Sequence, residues 1–382
     1  ITFINCKFLQ TTIYATGDLT NSLIFYKSLW SFTKEKWQTE IINANSVRYI
    51  LLYTCRIDKM KTGKNLYVMY FQNVFKMIFQ QLSIGVRKAY FAHVFRVRKV
   101  YLVGVFLFGS KPDVFKRDHG IFNMIYIQTL AVESSLFHGT GEYCISIHRS
   151  VRNVTIRNST FKNVYGSVII QLNAIQRYVV IAVSNSTFME NSIISKQFNI
   201  LIEHGYQSQT NLKSAFQKIL LITFKLINFI AGNENRVKLL SIDNKYRHSN
   251  AGQTLGRTLN VSFYMGHSKF TTKGNVLEFI NLVSVFIEHC KFIIKKADDY
   301  EATVEALSVG TVITKHTQFY LRDKAYNGLY ARMVYTKNIG YLSNDNCSYY
   351  GNQYRVKCTD YESRIVGGGL LLDSIKSVFL HQ

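Results

Sequence analysis

The chain has 382 residues, 47% of them apolar, enough to bury a large core. Its 27 Phe, 25 Tyr and single proline (Pro112) argue against a helix-dominated protein and leave Asn, Gly, Ser and Asp to make the turns. The formal charge of +23 favours a polyanionic partner without identifying it, the six cysteines include no CxxC pair for a zinc or redox motif, and no apolar run reaches the ~18 residues of a membrane span.

In chain order, one eight-residue frame recurs: apolar, x, apolar, x, polar, small, x, aromatic. It opens the chain as ITFINCKF, closing at Phe8, and returns more loosely as LIFYKSLW at Trp30 and ILLYTCRI at Ile57. Residues 58–130 match it poorly. Within them VFRVRKVYLV, 94–103, alternates basic and apolar residues as a strand with one wet face would. Arg87, Lys88, Arg96, Arg98 and Lys99 make a mild concentration of charge there. The frame resumes at Phe137, Phe161, Phe188, Phe229, Phe270, Phe292, Phe319, Tyr349 and Phe379.

Counting back from the closing residue, the columns keep their character. Seven and five before are apolar, as in Val154 and Ile156. Two before is small: Cys6, Ser28, Cys55, Ser135, Ser159, Ser186, Ser268, Cys290, Thr317, Cys347 or Ser377. Three before is Asn5, Asn158, Asn185 and Asn346, or His267, His289 and His316. Period-two apolar positions predict strands, and the break in alternation predicts a tight bend inside each unit. Spacings of 22 to 30 residues predict a solenoid of strands, each coil about 4.8 Å from the last.

The pattern resembles the right-handed parallel β-helix of the pectate-lyase-like proteins. The resemblance implies an all-β solenoid of about 12–14 coils over residues 1–382, with the Asn/His column as a ladder of side-chain amides at a bend. Two spacings of 41 residues imply side loops near 203–217 and 243–257. The second is polar and basic, and its Lys245, Tyr246, Arg247, His248 and Arg257 are candidate ligand contacts. Both ends of the chain fall inside a repeat, so further chain or partner subunits stacked on the ends are expected, with the sequence an excerpt of a longer protein.

Catalytic chemistry is hard to place. Glu133, Glu288 and Asp345 share a column without forming an adjacent set, and Asp298, Asp299 and Glu301 cluster within one coil as an exposed acidic turn. The motifs of pectate lyases and polygalacturonases are not recognisable, and no activated nucleophile is evident. His267, His289 and His316 are weak candidates for a metal or proton site, against the simpler reading of His replacing Asn in the bend ladder. No cofactor is implied. Cys347 and Cys358 are close enough in sequence for a local disulfide. Sequons begin at Asn153, Asn158, Asn185, Asn260 and Asn346. Asn153 and Asn260 lie outside the bend column and rank as the better glycosylation candidates; Asn158, Asn185 and Asn346 rank lower if their amides turn inward.

The sequence thus predicts a non-catalytic structural or adhesive protein, extracellular or at the cell surface, acting as a stiff scaffold or a filament or assembly subunit, with a basic surface that is a candidate for binding acidic glycans. A lyase of an acidic polysaccharide is the alternative. Nucleic-acid binding is a third hypothesis, supported by charge alone and disfavoured by the lack of any aromatic-basic module with a nucleic-acid signature.

Overall fold

The computed structural model describes residues 1–9, 11–17, 21–31, 40–61, 67–87, 90–109, 120–140, 143–164, 166–172, 178–189, 198–204, 218–230, 238–244, 259–272, 276–295, 303–321, 334–350, 357–358, 370–375 and 378–381. They form two compact units, Ile1–Gln176 with Ser186–Ser192, and Arg177–Asn185 with Ile193–Gln382. Each unit is a right-handed parallel β-helix. A coil contributes one strand to each of three parallel sheets, as in Lys76–Gln80, Ser83–Arg87 and Tyr90–Phe95.

The sequence columns become registers. On the first sheet of the first unit, Leu23, Ile50, Met77, Val100, Leu130 and Val154 stand partner to partner. In the second unit the same column runs Ile181, Ile222, Phe263, Val285, Val312, Leu342. These side chains alternate inward along each strand and are buried, which is what period-two patterning demands.

The closing aromatics face inward from the second sheet. Phe137, Phe161 and Phe188 stack with centroids 4.9 and 5.1 Å apart and planes within 7°. Phe270, Phe292 and Phe319 do the same at 4.6 and 4.8 Å in the second unit. Strand spacing of ~4.8 Å sets these distances, so identical rings at one register necessarily form columns.

The first bend explains the Asn/His column. The residue three before each closing position is left-handed: Asn5, Lys27, Thr54, Gln81, Gly104, Ser134 and Asn158 in the first unit, and Asn185, Leu226, His267, His289, His316 and Asn346 in the second. Asn and His tolerate that conformation better than most side chains, and glycine adopts it freely. The amide of the bend residue is satisfied by the neighbouring coil, as in Thr54 N–H to Gln80 O at 2.9 Å.

Over 58–130 the same frame continues without its aromatic marker. Ile57, Ile84, Leu107 and Phe137 are successive partners on the second sheet. Ile and Leu fill the closing column there, and Gln81 and Gly104 make the bends. The end of the chain requires a correction. Phe379 does not occupy the closing column: Val378–His381 lies on the first sheet, with Phe379 opposite Ser343. Leu370–Ile375 before it is a third-sheet strand, so its apolar pattern imitated the start of a frame.

Candidate functional site

Three groups of residues were singled out as chemistry-bearing, and the bend column contains the first. His267, His289 and His316 have φ of 50°, 49° and 46°. Their amides donate to Glu288 O, Lys315 O and Asp345 O at 3.0–3.1 Å. The imidazoles are exposed and stack face to face, with centroids 4.9 and 4.8 Å apart and planes 4° and 15° from parallel. Asn346 extends the column, its amide nitrogen 3.0 Å from Nδ1 of His316. Face-to-face rings direct their nitrogens side by side, whereas metal ligands must converge. Among the described residues no group of three or more His, Cys, Asp or Glu side chains is arranged to hold a metal ion.

The carboxylates beside this column are dispersed. Lys315 stands in register between Glu288 and Asp345, and Glu288 accepts the hydroxyl of Tyr264. In the first unit Glu133 faces Arg157 at 3.9 Å. The acidic cluster Asp298, Asp299 and Glu301 lies outside the described residues.

The small-residue column carries more than steric relief. Ser135, Ser159, Ser268 and Thr317 each donate a hydroxyl to the carbonyl two residues back at 2.9 Å. The same oxygens accept amides from the preceding coil: Val105 N–H to Ser135 at 3.1 Å, Ser135 N–H to Ser159 at 3.3 Å, Ser159 N–H to Ser186 at 3.3 Å, and Ile227 N–H to Ser268 at 3.1 Å. Each hydroxyl thereby ties one coil to the next. Sequence reasoning found the size constraint and missed this hydrogen-bond role. The recurrence of Ser, Thr and Cys there, interrupted at Leu82, Val105 and Ile227, was the available signal.

Cys55 and Cys290 occupy the same column and lie 3.4 and 3.2 Å from the carbonyls of Tyr53 and Glu288. Burial pushes the Cys55 thiol up to about 11 and the Cys290 thiol up to about 12. Cys144, buried on a third-sheet strand, is likewise pushed up to about 12 by burial. These thiols are poor nucleophiles. All three are expected to resist Ellman's reagent at pH 8 until denaturant is added. Because their folded values exceed the ordinary value of 9.0, the folded state keeps protons that the unfolded chain releases above pH 9. Their contribution to stability is therefore complete below about pH 9 and fades as pH climbs toward 12. Urea midpoints measured at pH 8 and pH 10 should fall, and Cys290→Ser should make that fall shallower.

The other predicted residues fall as follows. Asn153, Asn158, Asn185 and Asn346 are all exposed, so the inward placement that would rank the last three lower is not what the bend adopts. Asn260 is the second residue of the strand Leu259–Gly266, and its side chain lies outside the described residues. Cys347 is a free thiol, 3.5 Å from Asp345 O. The side chain of Cys358 lies outside the described residues, as do Lys245, Tyr246, Arg247, His248 and Arg257. No helix among the described residues is long and apolar enough to cross a membrane.

One basic stretch is redrawn. VFRVRKVYLV is not a single strand with a wet face. Phe95 ends a third-sheet strand, Arg96 bends at φ 54°, Val97 turns inward, and Lys99 begins a first-sheet strand. The alternation survives because the bend keeps Arg96 and Arg98 outward while Val94 and Val97 stay in the core.

No protein-family model matches the chain, and no curated protein matches it.

Proposed function

We propose that the protein is a non-catalytic β-helical scaffold of the extracellular space or cell surface that binds acidic glycans. The observation that carries this reading is how the candidate reactive columns are used. Ser135, Ser159 and Ser268 spend both lone pair and proton on backbone groups of the solenoid. The three imidazoles stack on one another, and the buried thiols are held protonated. Columns committed to coil stacking stiffen the solenoid of each unit, and among the described residues these columns hold no general acid–base pair poised on a substrate. The charge of +23 supplies attraction for polyanions.

The second reading is a lyase of an acidic polysaccharide. It is favoured by likeness of architecture to the pectate-lyase-like proteins, a fold that hosts many functions. Incubating the protein with polygalacturonate, alginate and heparin separates the two. Binding without release of unsaturated oligosaccharides is expected; ultraviolet-absorbing product accumulating with time would establish the lyase and end the scaffold reading.

A further inference from the structure

We propose that the corner between the third and first sheets of the first unit binds a linear acidic polysaccharide through a ladder of arginines and lysines braced by aromatic side chains. This rests on the reading of the chain as a glycan-binding scaffold and assigns the site.

The corner repeats over successive coils. Lys76 N–H bonds Arg48 O at 3.0 Å, Lys99 N–H bonds Phe75 O at 3.1 Å, and Gln128 N–H bonds Arg98 O at 3.2 Å. Arg48, Phe75, Arg98 and Gln128 thus form one outward column, advancing ~4.8 Å per coil. Lys76 and Lys99, in register with each other, flank it on the first sheet. Arg96 and Arg149 flank it on the side of the left-handed bends.

Arg48, Arg96, Arg98 and Arg149 are exposed, and among the described residues none of them forms an ion pair. Exposed basic side chains ordinarily sample many rotamers, which a ligand must freeze at an entropic cost. Here the cations are held. The Arg98 guanidinium sits 5.1 Å from the Phe75 ring centroid, and its Nε donates to Gln128 Oε1 at 3.0 Å. Arg149 lies 5.0 Å over Tyr126 and donates to its hydroxyl. Lys76 is placed between Tyr49 and Tyr101, at 5.8 and 5.4 Å. Cation–π contacts of this kind position a charge without neutralising it.

Cations braced in this way over successive coils of one corner suit a linear polyanion lying parallel to the solenoid axis. Guanidinium forks fit the planar face of a carboxylate and pair equally well with sulfate oxygens. Single-stranded nucleic acid would use open aromatic faces for base stacking. One face of Phe75 and one face of Tyr126 are taken by Arg98 and Arg149, which favours a polysaccharide.

The test uses the whole chain, with heparin as the sulfated probe and polygalacturonate as the carboxylated one, titrated at several salt concentrations. The variant Arg48→Gln/Arg96→Asn/Arg98→Gln/Lys99→Gln removes four positive charges, with Asn chosen to keep the left-handed bend. The control Lys225→Gln/Lys269→Gln/Lys291→Gln/Lys315→Gln removes four from the second unit. Circular dichroism and Tm establish that both remain folded. The corner variant should bind at least about tenfold more weakly, while the control stays within about twofold of wild type. Which probe binds more tightly distinguishes sulfate from carboxylate as the ligand group. Wild-type affinity in the corner variant, or equal losses in both variants, would overturn the site and leave the scaffold reading intact. Failure of the wild-type chain to bind either probe would overturn both. Displacement of heparin by a single-stranded oligonucleotide at matched charge would reassign the corner to nucleic acid.

Discussion

Replacing Phe161 with alanine is expected to lower the unfolding free energy by about 3–5 kcal/mol. Phe161 is completely buried and sits between Phe137 and Phe188, with planes 7° and 2° from theirs. Removing the ring deletes two stacking contacts and leaves a cavity that neighbouring coils cannot close, because their spacing is fixed by backbone hydrogen bonds on three sheets. Phe161→Leu should cost roughly 1.5 kcal/mol or less if Leu repacks as Leu107 does in the same column. Urea unfolding followed by circular dichroism measures both. Amide exchange should quicken first in Leu136–His138 and Thr160–Lys162, since solenoid coils depend chiefly on their neighbours. A loss below about 1 kcal/mol for the alanine variant would show that the stack is not the core of this unit.

Ser159→Val should cost about 2–4 kcal/mol, the second large effect. Ser159 lies in the bend between Asn153–Arg157 and Thr160–Lys162, so strand propensity does not decide the outcome. The cost arises because Ser159 Oγ accepts the Ser135 amide and donates to Arg157 O. Its loss strands the buried Ser135 amide, and bulk is not the obstacle, since Leu82 and Val105 are buried at the equivalent position of earlier coils. Ser159→Thr and Ser159→Cys are expected to cost much less, since Thr317 and Cys290 hold the same position in the second unit and make the same contact to the carbonyl two residues back. Equal losses for valine and threonine would place the penalty in volume rather than in hydrogen bonding.

Much of this architecture was legible in the chain. Alternation in VTIR and IAVS encodes which residues turn inward, because strand geometry makes that a local property. Asn158, Asn185, His267 and His316 marked the bend because few other side chains accept positive φ cheaply. Where Gln81 and Gly104 take the same conformation, the Asn/His marker disappears although the bend remains, so the frame was lost over 58–130. The third strand of each coil was not legible, because connections of variable length detach it from the frame.

What the sequence determined by itself was therefore the solenoid class, the core columns and the position of the first bend, all set by short-range periodicity and turn chemistry. Tertiary structure alone decided which groups meet. It turned the Asn/His column outward into a stack, made the Ser/Thr/Cys column a hydrogen-bond ladder, and brought Arg48, the pair Arg96 and Arg98, and Arg149 from three coils onto one corner. These outcomes depend on how many residues the chain spends before it returns to the same register. That count fixes the partner of every side chain, and no local pattern contains it.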